Sequence, residues 1–95
     1  MQIIHWGRAR QFYKKHPAAE NPLKQWRKIT QEYDWKNFHD IRGTFSSADW
    51  VDGNIIFNIK GNSYRLIAIA SFENGKLYIR QVLTHEEYDK NKWKK

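Results

Sequence analysis

Two short turn signals in the second half of the chain constrain its fold more than any other feature. Gly61-Asn62 and Asn74-Gly75 are dipeptides typical of two-residue hairpin loops. They separate three runs rich in β-branched and aromatic residues, 54–60, 63–72 and 76–83. We therefore predict a three-stranded antiparallel meander in this half of the chain.

Two-residue loops also predict the register, because pairing is counted outward from each loop. The count pairs Lys60 with Ser63, Asn58 with Arg65, Glu73 with Lys76, Ile69 with Arg80, and Arg65 with Thr84. Strand alternation then sorts the side chains to two faces. One face is almost wholly apolar and has to be covered by helices. Leu83 lies on this face, and Gln81 is its one polar residue. The other stays open as the candidate site, and it carries Asn58, Lys60, Arg65, Arg80, Val82 and Thr84.

The first half of the chain predicts an edge strand and two covering helices. The apolar run 1–4 suits an edge strand, and residues 7–16 contain no helix breaker. A second helix is expected to begin with Asn21 as a side-chain cap and Pro22 at its first position. Its buried stripe comprises Leu23, Trp26, Ile29, Thr30 and Tyr33. Residues 34–45 indicate one or two helical turns, with loops at 46–49 and 52–53.

These elements predict an α+β fold, a small antiparallel sheet packed by two N-terminal helices and followed by a short C-terminal helix. A length of 95 residues allows one domain, 1–95, with a basic tail over residues 90–95 that we expect to extend from it. The formal charge of +7 favours a polyanionic partner, nucleic acid first. The absence of cysteine and of any signal peptide or membrane span favours a cytoplasmic protein.

The short C-terminal helix carries the side chains best suited to chemistry. Thr84 and Glu87 have the spacing of a capping box, so a helix should begin there. His85, Tyr88 and Asp89 then share one side of it. The counted register places Thr84, and with it the start of this helix, beside Arg65. A guanidinium binds phosphate and an imidazole moves protons near neutral pH, so the group suits phosphodiester chemistry without a metal.

Two other kinds of site are less well supported by the same residues. His85-Glu86 begins a zinc-protease pattern, but position 89 is Asp and no second His follows, so we predict no metal site. Asp89 could orient His85 in a catalytic triad, but no Ser or Cys nucleophile is placed to use it.

Two spaced motifs resemble the HigB-type toxins. They are N-x-K-G-N-x-Y-R-L-I at 58–67 and T-H-x-x-Y-D-K at 84–90, and the resemblance extends upstream through 23–26, 35–38 and 41–49. It implies the RelE/ParE-like fold and an mRNA endonuclease of a type II toxin–antitoxin system, acting on ribosome-bound mRNA to inhibit translation, with no cofactor. It also implies a HigA-like helix-turn-helix antitoxin, which alone binds operator DNA, and no membrane partner.

The resemblance and the open face together suggest which residues act. We expect catalysis from Arg65, His85, Tyr88 and Lys60, and RNA binding by Arg80, Asn58, Asn62 and Lys90. Two alternatives stay open at this point. One is a non-catalytic nucleic-acid or ribosome-binding module, and the other is a toxin of the same fold that poisons DNA gyrase.

Overall fold

A mixed β-sheet organises the protein, in a computed structural model that describes residues 1–94. Across those residues the sheet has the strand order β1-β5-β4-β3-β2. The strands are β1 (Gln2–Ile4), β2 (Asp49–Val51), β3 (Asn54–Ile59), β4 (Tyr64–Ser71) and β5 (Lys76–Thr84). The helices are α1 (Trp6–Lys15), α2 (Glu20–Glu32), α3 (Phe38–Thr44) and α4 (His85–Asp89). The α+β class is confirmed, but β1 runs parallel to β5, so the sheet is not wholly antiparallel.

The two N-terminal helices form as predicted, but α2 begins earlier than its proline suggests. A 3-10 turn, Pro17–Ala19, leads directly into α2 at Glu20. Ala19 already has helical backbone angles, so Asn21 and Pro22 lie within the first turn and Asn21 is not the cap. Leu23, Trp26 and Thr30 are buried as expected. Tyr33 is 48% exposed because the helix ends at Glu32 and extended backbone turns its side chain off the buried stripe.

The segment between α2 and β3 contains the predicted helical turns and one strand that the sequence did not indicate. Asn37 caps α3 by accepting a hydrogen bond from the Asp40 amide at 2.9 Å. Asp49 begins β2, which pairs with β3 where we expected a loop. Asp52 and Gly53 join the two strands as a two-residue turn, both with positive φ.

The β3–β4 hairpin has the predicted register. Asn58 pairs with Arg65, and Ile59 with Tyr64. The Ser63 amide donates to the Lys60 carbonyl at 3.1 Å, so Lys60 and Ser63 face each other at the loop.

The β4–β5 hairpin departs from the predicted register at its loop. A 3-10 turn, Phe72–Asn74, precedes Gly75, so the loop contains four residues and Lys76 pairs with Ser71, not with Glu73. Ile69 accordingly pairs with Tyr78 and not with Arg80.

A β-bulge at Arg80 then moves the register back by one residue, toward the predicted pairing. Ala68 pairs with Ile79 and Ile67 with Gln81, which leaves Arg80 as the extra residue on β5. Beyond it, Arg65 pairs with Leu83, and Thr84 pairs with Tyr64 and not with Arg65 as we had counted.

The bulge exchanges the faces of the last β5 residues, because a shift of one residue turns every following side chain over. Val82 therefore belongs to the core beneath the helices. Leu83 instead packs on the open face, against the cluster that contains Ile56 and Ile67. Our prediction had these two residues reversed.

The apolar face of the sheet is covered by the N-terminal helices as expected, and the basic tail packs on the other face. A 3-10 turn, Lys92–Lys94, places Trp93 against Ile56 and Ile67, where it is 2% exposed. The expected extended tail is therefore wrong for residues 90–94, because burial of the indole anchors them; Lys95 lies outside the described residues. None of the helices in residues 1–94 is long and apolar enough to cross a membrane.

Candidate active site

Two reciprocal hydrogen bonds between Thr84 and Glu87 fix the start of α4. Thr84 Oγ1 accepts from the Glu87 amide at 3.1 Å, and Glu87 Oε1 accepts from the Thr84 amide at 2.9 Å. This reciprocal pair is the predicted capping box. The His85 amide also donates to the Ser63 carbonyl at 3.0 Å. Helix α4 is thereby tied to the β3–β4 loop, which carries part of the motif we identified.

Arg65 lies at the base of the site and is 9% exposed. Its Nη1 donates to the Asn62 carbonyl at 3.0 Å and to the Tyr64 carbonyl at 3.2 Å. The guanidinium carbon is 5.4 Å from the centre of the Tyr88 ring. Arg65 and α4 therefore meet as expected despite the register error, since the residue that pairs with Thr84 is Tyr64, the immediate neighbour of Arg65.

Tyr88 is held between Arg65 and the C-terminal turn. Its ring stacks on Trp93, with centroids 5.0 Å apart and planes 11° apart. Trp93 Nε1 donates to the Tyr88 carbonyl at 3.0 Å. Burial of the Tyr88 ring, and then the negative charge of Asp49, raise the pKa of its phenol, and the Arg65 guanidinium opposes this rise. The phenol is thus kept protonated and able to donate a hydrogen bond at neutral pH.

His85 is oriented by a carboxylate on its own helix. Its Nδ1 lies 2.9 Å from Asp89 Oδ2. Both side chains are half exposed, so the outer nitrogen of the imidazole, Nε2, can reach a ligand. In the neutral ring an Nδ1–H that donates to Asp89 leaves Nε2 as the acceptor, the form required of a general base.

Three of the remaining predicted site residues belong to the β3–β4 hairpin, which also carries Arg65. Asn58 shares the open face with Arg65 across the β3–β4 pair, and Asn62 supplies a carbonyl to Arg65. Lys60 is exposed in the loop, in the left-handed region, and lines a groove with Pro22 and Trp26 of α2.

The other two predicted residues lie outside that hairpin. Arg80 donates from Nη1 to Asn54 Oδ1 at 2.8 Å, a contact with the start of β3. Lys90 follows α4 and lines a depression with Gln81 and Leu83.

Two side chains near Tyr88 were missed by the sequence reasoning. Trp93 was placed in an extended tail, although an aromatic residue five positions after Tyr88 in a basic segment was itself a signal of packing. Asp49 was placed in a loop, but β2 carries it on the open face opposite Ile56. Its charge acts on the Tyr88 phenol.

The described site contains groups of the kinds that phosphodiester cleavage uses, and of these Arg65 and Tyr88 are in contact. Arg65 supplies a permanent positive charge, Tyr88 a hydrogen-bond donor, and His85 an oriented proton acceptor. No cluster of three His, Asp or Glu side chains able to hold a metal ion occurs in residues 1–94.

Comparison with known proteins finds a matching family model and several similar chains. A family model described as "HigB_toxin, RelE-like toxic component of a toxin-antitoxin system" matches residues 19–91. The chain is 30% identical over 92 residues to the "mRNA interferase toxin HigB" of Escherichia coli (strain K12), an alignment that covers 94% of this chain and 88% of that protein. The "mRNA interferase HigB" of Shigella flexneri matches to the same extent.

A more distant relative carries the same name. The "mRNA interferase HigB" of Escherichia coli O6:H1 is 25% identical over 93 residues, which cover 95% of this chain and 90% of that protein. The match of the family model spans both motifs and every residue of the Arg65, His85 and Tyr88 group. By its sequence, the chain belongs to the HigB toxin family, the RelE-like toxic components of toxin–antitoxin systems.

Proposed function

We propose that this toxin is an mRNA endonuclease that cuts ribosome-bound mRNA by metal-independent acid–base chemistry and so stops translation in the cytoplasm. The observation that carries the proposal is that Arg65 contacts Tyr88 of α4, the same short helix on which Asp89 orients His85. The names of the relatives, mRNA interferases, support the same substrate class.

The proposed reaction needs one base, one acid and one cation. His85 takes the proton from a ribose 2′-hydroxyl, and the oxygen so activated attacks the adjacent phosphorus. The bond from phosphorus to the 5′-oxygen breaks, and that oxygen receives a proton from the protonated imidazole or from Tyr88. The Arg65 guanidinium stabilises the added negative charge on the phosphoryl oxygens. The products are a 2′,3′-cyclic phosphate and a 5′-hydroxyl.

The other predicted residues take supporting roles in this proposal. Lys60, which we predicted to be catalytic, supplies positive charge from the exposed β3–β4 loop. Asn58 and Asn62 in the β3–β4 hairpin, together with Arg80 and Lys90, bind the RNA on either side of the cut. The partner in the toxin–antitoxin pair is a HigA-like helix-turn-helix protein, and contact with operator DNA is made through that antitoxin.

Cleavage of a defined transcript in an mRNA-programmed ribosome preparation tests the proposal. We expect cleavage in excess EDTA, with 2′,3′-cyclic phosphate ends, and none when the ribose at the cut carries a 2′-O-methyl group. Arg65→Ala and His85→Gln should each lower the rate by about 100-fold or more. Circular dichroism checks that both variants are folded.

Two outcomes would contradict the proposal. Wild-type protein that binds the programmed ribosome and leaves the transcript intact would indicate a binding module. Full activity in both variants would mean that another site cuts the RNA.

A further inference from the structure

A basic groove runs beside α4, on the side away from His85. Its volume is about 510 Å³, and α1 forms one wall with Arg8, Lys14, Lys15 and His16. The other wall includes Glu87, which lies two residues after His85 and so projects from the opposite side of α4. The groove therefore flanks the helix that carries the proposed catalytic histidine.

A second depression continues this groove on the far side of Glu87. Its volume is about 290 Å³, and Lys90, Lys92 and Trp93 form part of its lining. Glu87 lines both depressions, so the two adjoin at this residue. We call the combined surface, from Arg8, Lys14 and Lys15 across Glu87 to Lys90 and Lys92, the α1–α4 track.

The α1–α4 track is strongly positive. In the described part of the chain its lining includes the cations Arg8, Lys14, Lys15, Lys90 and Lys92 against one carboxylate, that of Glu87. That carboxylate also accepts a hydrogen bond from the Thr84 amide in the capping box. Arg8 is fixed in place, because its Nη1 donates to the carbonyls of Ile79 at 3.0 Å and Arg80 at 3.2 Å, at the bulge of β5.

We propose that the α1–α4 track binds the sugar–phosphate backbone of RNA that extends away from the cleavage centre. This deepens the proposed function, because it names a second surface for the same substrate. The track adjoins α4, so one strand can contact it and the Arg65–His85 centre together.

The composition of the track favours RNA over an acidic protein. Four of its five cations are exposed lysines, and lysine is depleted where proteins bury an interface core. Phosphates, in contrast, are met by exposed cations spaced along a groove. The ring of His16, stacked on Phe12 at 4.4 Å, adds a flat surface beside these charges.

Binding of a short 2′-O-methyl RNA oligonucleotide, followed by fluorescence anisotropy at several salt concentrations, tests the proposal. This RNA cannot be cleaved, so affinity is measured apart from catalysis. We expect Lys14→Gln/Lys15→Gln to weaken binding on the order of tenfold at low salt. The slope of log K against log salt should fall by about 1.4, since each single-strand phosphate contact contributes about 0.7. Lys90→Gln/Lys92→Gln should behave alike.

The matched control is Lys28→Gln/Lys36→Gln, which removes two exposed positive charges outside the track. It should change affinity by less than about twofold. Equal losses in track and control variants, or no loss in either, would overturn the proposal and leave an acidic protein as the ligand of this surface. If RNA binding depends on the track lysines but unmodified RNA stays intact, the proposed track is supported and the proposed nuclease activity is refuted. If unmodified RNA is cleaved but its binding does not depend on the track lysines, the nuclease is supported and the track is refuted.

Discussion

The imidazole Nδ1 of His85 lies 2.9 Å from Asp89 Oδ2, one turn further along α4. This contact orients the imidazole on a five-residue helix and leaves Nε2 for the proposed proton transfer. The capping box at the start of the same helix fixes its backbone, and the Ser63 carbonyl ties it to the β3–β4 loop.

Asp89→Asn should lower the rate constant for cleavage on the order of tenfold and leave KM nearly unchanged. The loss is expected to be smaller than removal of a general base, which costs about 10²–10⁴-fold. The amide can still contact the ring but no longer selects the tautomer with an Nδ1 proton. Single-turnover cleavage as a function of pH measures the effect. Glu86→Gln, an equal charge change on the same helix, is the control, and an equal loss there would contradict a role for the contact.

Trp93→Ala should destabilise the protein by about 3 kcal/mol, because a buried indole is replaced by a cavity on the open face. The same change removes the stack on Tyr88 and should reduce cleavage. Trp93→Phe keeps an aromatic ring on Ile56 and Ile67, so it should lose less stability and less cleavage activity than Trp93→Ala. Urea unfolding gives the free energies. Wild-type stability in Trp93→Ala would mean that the tail is not anchored as described.

Tyr88→Phe should alter how stability depends on alkaline pH. The fold raises the pKa of the Tyr88 phenol, so it favours the neutral form. That contribution is fully present below the unfolded-state pKa of about 10 and is lost as pH rises through the folded pKa. The difference in unfolding free energy between wild type and Tyr88→Phe should therefore be constant from neutral pH to about pH 9 and shift against wild type above about pH 10. A difference that stays constant through pH 11 would contradict the raised pKa.

Thr84→Ala should cost about 1 kcal/mol of stability, since it leaves the Glu87 amide without its acceptor. Cleavage should fall as well, because α4 holds both His85 and Tyr88. Thr84→Ser keeps the hydroxyl and should stay within about 0.5 kcal/mol of wild type. Thermal unfolding and a cleavage assay on the three proteins provide the comparison, and equal losses in the two variants would rule out the cap as the cause.

The local features of this fold could be read from the sequence because short-range chemistry determines them. The capping box of Thr84 and Glu87, the buried stripe of α2 and the Asn58–Arg65 pair all depend on residues close together in the chain. The bulge at Arg80 was not predicted, because nothing in the alternation of β5 marks an extra residue. That one residue exchanged Val82 and Leu83 between the two faces.

The candidate site was predicted in part for the same reason. Arg65, His85 and Tyr88 were indicated by motif spacing, and the structure brings Arg65 to Tyr88. Asp49 and Trp93 were not indicated by the sequence. Asp49 is placed by the pairing of β2 with β3, and Trp93 by a tail that packs on a sheet distant in the chain.

The sequence by itself determined most of the element types, the net positive charge and the groups able to act on a phosphodiester, because side-chain chemistry and local spacing suffice for these. Only the tertiary structure decided which face each β5 residue takes and that Trp93 covers the open face beside Tyr88. It also decided that Arg8, Lys14 and Lys15 of α1, and Lys90 and Lys92 after α4, line depressions that both include Glu87. These are long-range outcomes, set by the packing free energy of the whole chain and not by any local preference.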